Sequence, residues 1–125
     1  MSDNLKQVDL AKATLKVFTN QGEDLAEVRH VIHYFYGGNF PALESALKEL
    51  GYTTRLTVKE DGVVAERHEA IGEEWRTTTL RNLCELADIY GVEYDGWEAS
   101  MTRPKATQPS QKPSAWLSKI FGKKS

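Results

Sequence analysis

A chain of 125 residues, 40% hydrophobic and 27% charged, suits one soluble domain with a core of its own. No apolar run approaches the roughly 18 residues that span a bilayer, the polar and acidic start carries no targeting signal, and the lone Cys84 excludes an internal disulfide, so a cytoplasmic protein is expected. The net charge of −2 conceals a division: residues 1–98 hold 10 Lys and Arg against all 18 Asp and Glu, a net −8, whereas residues 99–125 hold 6 Lys and Arg and no acid, a net +6. An acidic domain over 1–100 and a linker with a short basic tail over 101–125 are therefore expected, the tail being the part suited to anionic surfaces.

In chain order, Leu5, Val8, Leu10, Ala11, Leu15 and Phe18 recur at helical spacing. They predict a helix over about 4–20, capped by Asp3 or Asn4 and stopped at Gly22. Val28–Tyr36, β-branched and aromatic and closed by Gly37-Gly38, predicts a first strand, central because both its faces carry apolar side chains. Asn39 caps a second helix with Pro41 in its first turn, and Phe40, Leu43, Ala46, Leu47 and Leu50 form its inward stripe up to Gly51. Tyr52–Lys59 alternates with Tyr52, Thr54, Leu56 and Val58 on one face, and Asp61-Gly62 turns it into a third strand over Val63–Ala70.

Glu73 and Glu74 suit a helix N-terminus, but Thr77, Thr78 and Thr79 form helix poorly, so the helix is expected to start late with one of them as cap. Leu80, Leu83, Leu86, Ala87 and Tyr90 then keep the helical period, with Cys84 among them as a small buried hydrophobe, until Gly91 stops the helix.

The last strand is Val92–Glu98. Asp95-Gly96 inside it predicts a bulge or a close backbone approach. An unbroken pleat would send Tyr94 and Trp97 to opposite faces, and a bulge between them brings both to one face. Both rings read first as core, since buried aromatics stabilise small domains, and second as contact anchors. The order after the opening helix is βαββαβ, which predicts an α+β, ferredoxin-like antiparallel sheet with both helices on one face, an additional N-terminal helix and a flexible C-terminal tail.

The Gly91-Val92-Glu93-Tyr94-Asp95-Gly96-Trp97 run after a helix ending in Leu86-Ala87, with Gly22 and Asp24 after a short helix and His33 in the first strand, resembles the RraB family, protein inhibitors of ribonuclease E. The resemblance covers roughly residues 4–98. It implies the same α+β fold and regulation of ribonuclease E by protein contact, with Tyr94, Asp95, Trp97 and His33 as partner-binding candidates. The sequence departs from the family pattern at Ile32-His33-Tyr34, where the family has Glu-His-His, and in carrying a basic tail with Trp116 instead of an acidic one.

Catalytic chemistry finds little support. His30 and His33, three apart in a strand, point to opposite faces and with His68 make no converging zinc set. No nucleophile elbow or phosphate loop is present, Gly37-Gly38 reads as a bare turn, and the pairs Glu73 with Glu74 and Glu66 with Glu69 read as solvated faces. No cofactor or metal is expected. The fold is shared with an RNA-recognition module, but its third strand here, Val63–Glu69, is acidic and lacks an aromatic, so the domain is expected not to bind nucleic acid directly.

A non-enzymatic ribonuclease regulator is thus the first reading. A peripheral adaptor that holds a membrane or a partner through its tail is the alternative. Thr102–Pro113 reads as a flexible linker, and on a helix Trp116, Leu117, Ile120 and Phe121 share one face with Lys119, Lys123 and Lys124 off it. So short a helix must fold against something: an anionic membrane surface, in weak and reversible contact at the inner membrane, a partner's groove, or the domain's own apolar surface.

Overall fold

The β-branched and aromatic run after residue 28 becomes the strand around which the sheet is built. In the computed structural model, which describes residues 3–57 and 61–101, β1 (Arg29–Tyr36) lies between β3 (Gly62–Glu69) and β4 (Glu93–Ala99), with β2 (Thr53–Leu56) beyond β3. All neighbouring strands are antiparallel, in the order β2-β3-β1-β4 that a ferredoxin-like βαββαβ chain produces. β1 is central, as expected. Its period of two sorts Arg29, Val31, His33 and Phe35 to a buried face and His30, Ile32, Tyr34 and Tyr36 to a half-buried one.

The helices pack on the first of these faces. Val31, Phe35, Val63, Ala65, Tyr94 and Ala99 from the strands meet Phe18, Leu43, Leu47, Leu83 and Ala87 from the helices in one core. Each large side chain fully buried there contributes about 1.5–3 kcal/mol relative to exposure. Cys84 belongs to this core, where burial first, then Asp88 and Glu85, push its thiol up to about 12; it behaves as the expected buried hydrophobe.

α1 (Lys6–Asn20) forms where predicted, but neither Asp3 nor Asn4 caps it: Leu5 occupies the N-cap and no side-chain cap bond forms. Leu10 faces outward, 59% exposed, because the buried stripe is Val8, Ala11, Leu15 and Phe18. α2 (Phe40–Glu49) is capped by Asn39, whose side chain accepts from the Ala42 amide. Leu50, expected inward, follows the helix and is exposed. β2 is shorter than the alternation suggested, with Leu56 exposed at its end and Val58 outside the described residues.

Gly37-Gly38 is more than a bare turn. A Cβ on Gly38 would lie 2.1 Å from the Gly91 carbonyl oxygen, and the Asn39 amide donates to the Tyr90 carbonyl, so the α2 start and the last helix end are packed backbone to backbone.

The region after Gly72 also departs from expectation. α3 (Glu73–Trp75), a π-helical turn (Arg76–Leu80) and α4 (Arg81–Ile89) follow one another without a break, so helix begins at Glu73 rather than after the threonines. Thr77 donates its hydroxyl to the Glu73 carbonyl instead of capping. Packing overrides the poor propensity of the threonines, because Trp75, Arg76 and Leu80 are buried. The wider π turn brings Trp75 and Leu80, five apart, closer to one side than an α-turn would. Arg76 pairs with Glu73 and donates to the Val8 carbonyl at 2.8 Å, tying this turn to α1. Every tail residue named above, from Trp116 to Lys124, lies outside the described residues.

Candidate functional site

The Asp95-Gly96 step in β4 is a bulge. Pairing with β1 runs Tyr34 to Gly96 and then Phe35 to Tyr94, which leaves Asp95 as the extra residue. Gly96 has φ 128°, a conformation that a side chain would strain. The extra residue resets the alternation, so Tyr94 and Trp97 both turn to the helix-covered face, 2% and 8% exposed. Trp97 meets Trp75 edge to face with ring centroids 4.9 Å apart. Asn4, displaced from any capping role, holds the strand entry: its oxygen accepts from the Tyr94 amide, and its nitrogen donates to the Val92 carbonyl and to Asp88.

Beneath the helices, Tyr94 joins a closed polar chain. His33 Nδ1 lies 2.8 Å from the Tyr94 hydroxyl and Nε2 lies 3.0 Å from Glu69 Oε2. Tyr52 and Arg67 both donate to the other Glu69 oxygen, and the Arg67 guanidinium stacks 4.0 Å over the Tyr52 ring. Burial pushes the Glu69 carboxyl up, but the His33 hydrogen bond and charge, the Arg67 charge and the Trp75 indole outweigh it and hold Glu69 below its ordinary value. That indole N–H acts through proximity, since it closes no hydrogen bond of ordinary geometry.

A charged Glu69 only accepts, so the His33 Nε2 donates to it, which leaves Nδ1 to face the Tyr94 hydroxyl, itself both donor and acceptor. The order Tyr–His–Glu has the connectivity of an activating relay, but its surroundings oppose that use. Burial, with Cys84, Tyr52 and Glu69 behind it, pushes the Tyr94 phenol well above its ordinary value, and His33 is fully buried. The arrangement ties β1, β3 and β4 together beneath the helices through hydrogen-bonded polar groups.

A second buried polar assembly escaped the sequence reading. Arg29, at the inward-facing start of β1, pairs with Glu23 at 2.6 Å with both side chains fully buried. It also donates to the Asp24 and Ser100 carbonyls. The Gly22–Asp24 loop is therefore fastened to the ends of β1 and β4. The available signal was a cation at an inward strand position, which demands a buried acid nearby.

The opposite face repeats the residue types in the open. His30 Nε2 lies 2.8 Å from Glu66 Oε1, Arg55 pairs with the other Glu66 oxygen at 3.2 Å, and the His68 ring lies 5.4 Å from that of His30. The His30 hydrogen bond is the largest influence lowering the Glu66 acid, ahead of the opposing burial and the help of Arg55. Tyr34 is pushed up to about 12, by burial and then by the Glu98 charge. Reading Glu66 and Glu69 together as one solvated face was wrong: three apart in a strand, they lie on opposite faces, and Glu69 is 7% exposed.

Of the four partner-binding candidates, the structure brings Tyr94, Trp97 and His33 together on the helix-covered face and leaves Asp95 in the bulge, 6% exposed. No group of three or more His, Cys, Asp or Glu among the described residues is placed to hold a metal ion. No helix among them is long and apolar enough to cross a membrane. Residues 9–99 match the RraB family model, described as regulator of ribonuclease activity B. No curated protein matches the chain.

Proposed function

The chain belongs to the RraB family of regulators of ribonuclease activity, and from that membership we propose that it binds ribonuclease E and inhibits it without cleaving RNA itself. The observation that carries this reading is the family match across residues 9–99, which takes in nearly the whole folded unit. Charge supports it: residues 1–98 carry a net −8, which repels RNA phosphate and attracts a basic segment of an RNA-handling enzyme. The domain, residues 1–100, makes the contact in the cytoplasm, and residues 101–125 supply a linker and basic tail. Tyr94, Asp95, Trp97 and His33 serve the contact as its frame, fixing β4 and β1 so that the outer surface keeps one shape. Sedimentation of the full chain mixed with purified ribonuclease E tests the reading. A complex that dissociates as salt is raised supports it, and separate boundaries over a wide excess of the chain overturn it.

A further inference from the structure

We propose that the basic segment 114–124 folds back in cis onto the face formed by His30, Ile32, Tyr34 and Tyr36 of β1 with their neighbours on β3 and β4. The face is built for a segment that is half apolar and half cationic. Ile32, Tyr34 and Tyr36 form a half-buried row along the central strand beside Val64, while the helices pack on the other side. Strand register places Glu66, Glu98 and Glu93 around that row, with the Arg55 guanidinium paired to Glu66.

The tail is the chemical complement. Residues 99–125 hold six cations and no acid, and on a helix Trp116, Leu117, Ile120 and Phe121 share a side flanked by Lys119, Lys123 and Lys124. Its origin is close by. The Ser100 amide donates to the His30 carbonyl and the His30 amide to the Ser100 hydroxyl, so the chain leaves β4 beside one end of this face. The residues between Met101 and Ser114 reach up to about 40 Å when extended and about 20 Å as a coil, against about 26 Å for the length of β1.

Such a tether gives an effective concentration on the order of millimolar, so a contact too weak to form between separate molecules still forms within one. An anionic membrane is the weaker rival for the same segment. The domain's net −8 attracts the tail but repels acidic headgroups at distances of about a Debye length, roughly 8–10 Å.

The test uses the full chain carrying Ser125→Cys with a nitroxide label, to which the buried Cys84 offers no competing thiol. Amide signals of Ile32, Tyr34, Tyr36, Val64, Glu66 and Glu98 should lose most of their intensity while those of α2 keep theirs. The loss should disappear in high salt, and in the Glu66→Lys, Glu98→Lys double variant. The salt arm keeps the test decisive if that variant fails to fold. Uniform intensities, or losses centred on the helices, overturn the proposal. So does broadening that passes to an unlabelled copy mixed with a labelled one, or that arises only on adding phosphatidylglycerol vesicles. None of these readouts involves ribonuclease E, so they stand or fall apart from the proposed function.

Discussion

Two histidine–glutamate pairs link the same two strands, and they differ in almost everything but composition. His33 with Glu69 lies under the helices with side chains 0% and 5% exposed, whereas His30 with Glu66 lies on the open face at 39% and 25%. Each member of one pair is three residues from its counterpart in the other, and an odd step along a strand changes face. The buried pair is enclosed by Tyr94, Tyr52, Arg67 and Trp75, and losing His33 would take a partner from both Glu69 and the Tyr94 hydroxyl. Water can replace any member of the open pair. Burial, then, makes one pair a structural element and leaves the other open to solvent.

The comparison can be broken most forcefully at the aromatic floor of the buried side. Trp97→Ala should cost about 3–5 kcal/mol, the range for emptying a large aromatic from a core, measured by urea unfolding. A variant of wild-type stability would place Trp97 outside the core. Removing the ring of His33 should come next. His33→Ala leaves Glu69 and the Tyr94 hydroxyl short of a partner and opens a cavity, for a loss of about 2–4 kcal/mol.

Acidity sharpens the comparison further. Glu69 is held below the ordinary carboxyl value of 4.5 in the folded chain. Its contribution is therefore complete above that value and fades as pH falls through the lower folded value. Urea midpoints from neutral pH down to about 3 should show Glu69→Gln less stable than wild type at neutral pH and the gap closing below about 4.5. A gap that stays constant contradicts the charged assignment of Glu69. Glu66 shifts in the same direction but on the open face, where solvent screens its share. The smallest effect belongs there: His30→Ala should change stability by about 0.5 kcal/mol or less. A loss matching that of His33→Ala would erase the distinction between the faces.

The elements legible in the sequence were those written in local chemistry. Asn39 with Pro41, the Asp61-Gly62 turn and the Gly91 stop act on their own few residues, and the βαββαβ order follows from their spacing. The bulge was legible too, because Asp95-Gly96 between two large rings has few other uses. What stayed hidden depends on residues far apart in the chain. Asn4 looks like a helix cap until the strand 90 positions later offers the Tyr94 amide. Glu69 looks like a surface acid until β1 delivers His33 to it, and Arg29 shows no reason for burial until the 22–24 loop folds over it with Glu23. The π turn was hidden for the opposite reason: local propensity argued against helix at Thr77–Thr79, and packing of Trp75 and Leu80 prevailed.

The central proposal is that this acidic domain acts on a ribonuclease by contact without cleaving RNA itself, and one titration tests it most directly. Full-length protein is added in steps to a fixed amount of ribonuclease E cleaving a defined RNA, with a parallel series lacking the ribonuclease. The account predicts a rate that falls to a plateau as the complex saturates, and RNA that stays intact in the parallel series. An unchanged rate across a wide excess, or RNA cleaved by the protein alone, would contradict it.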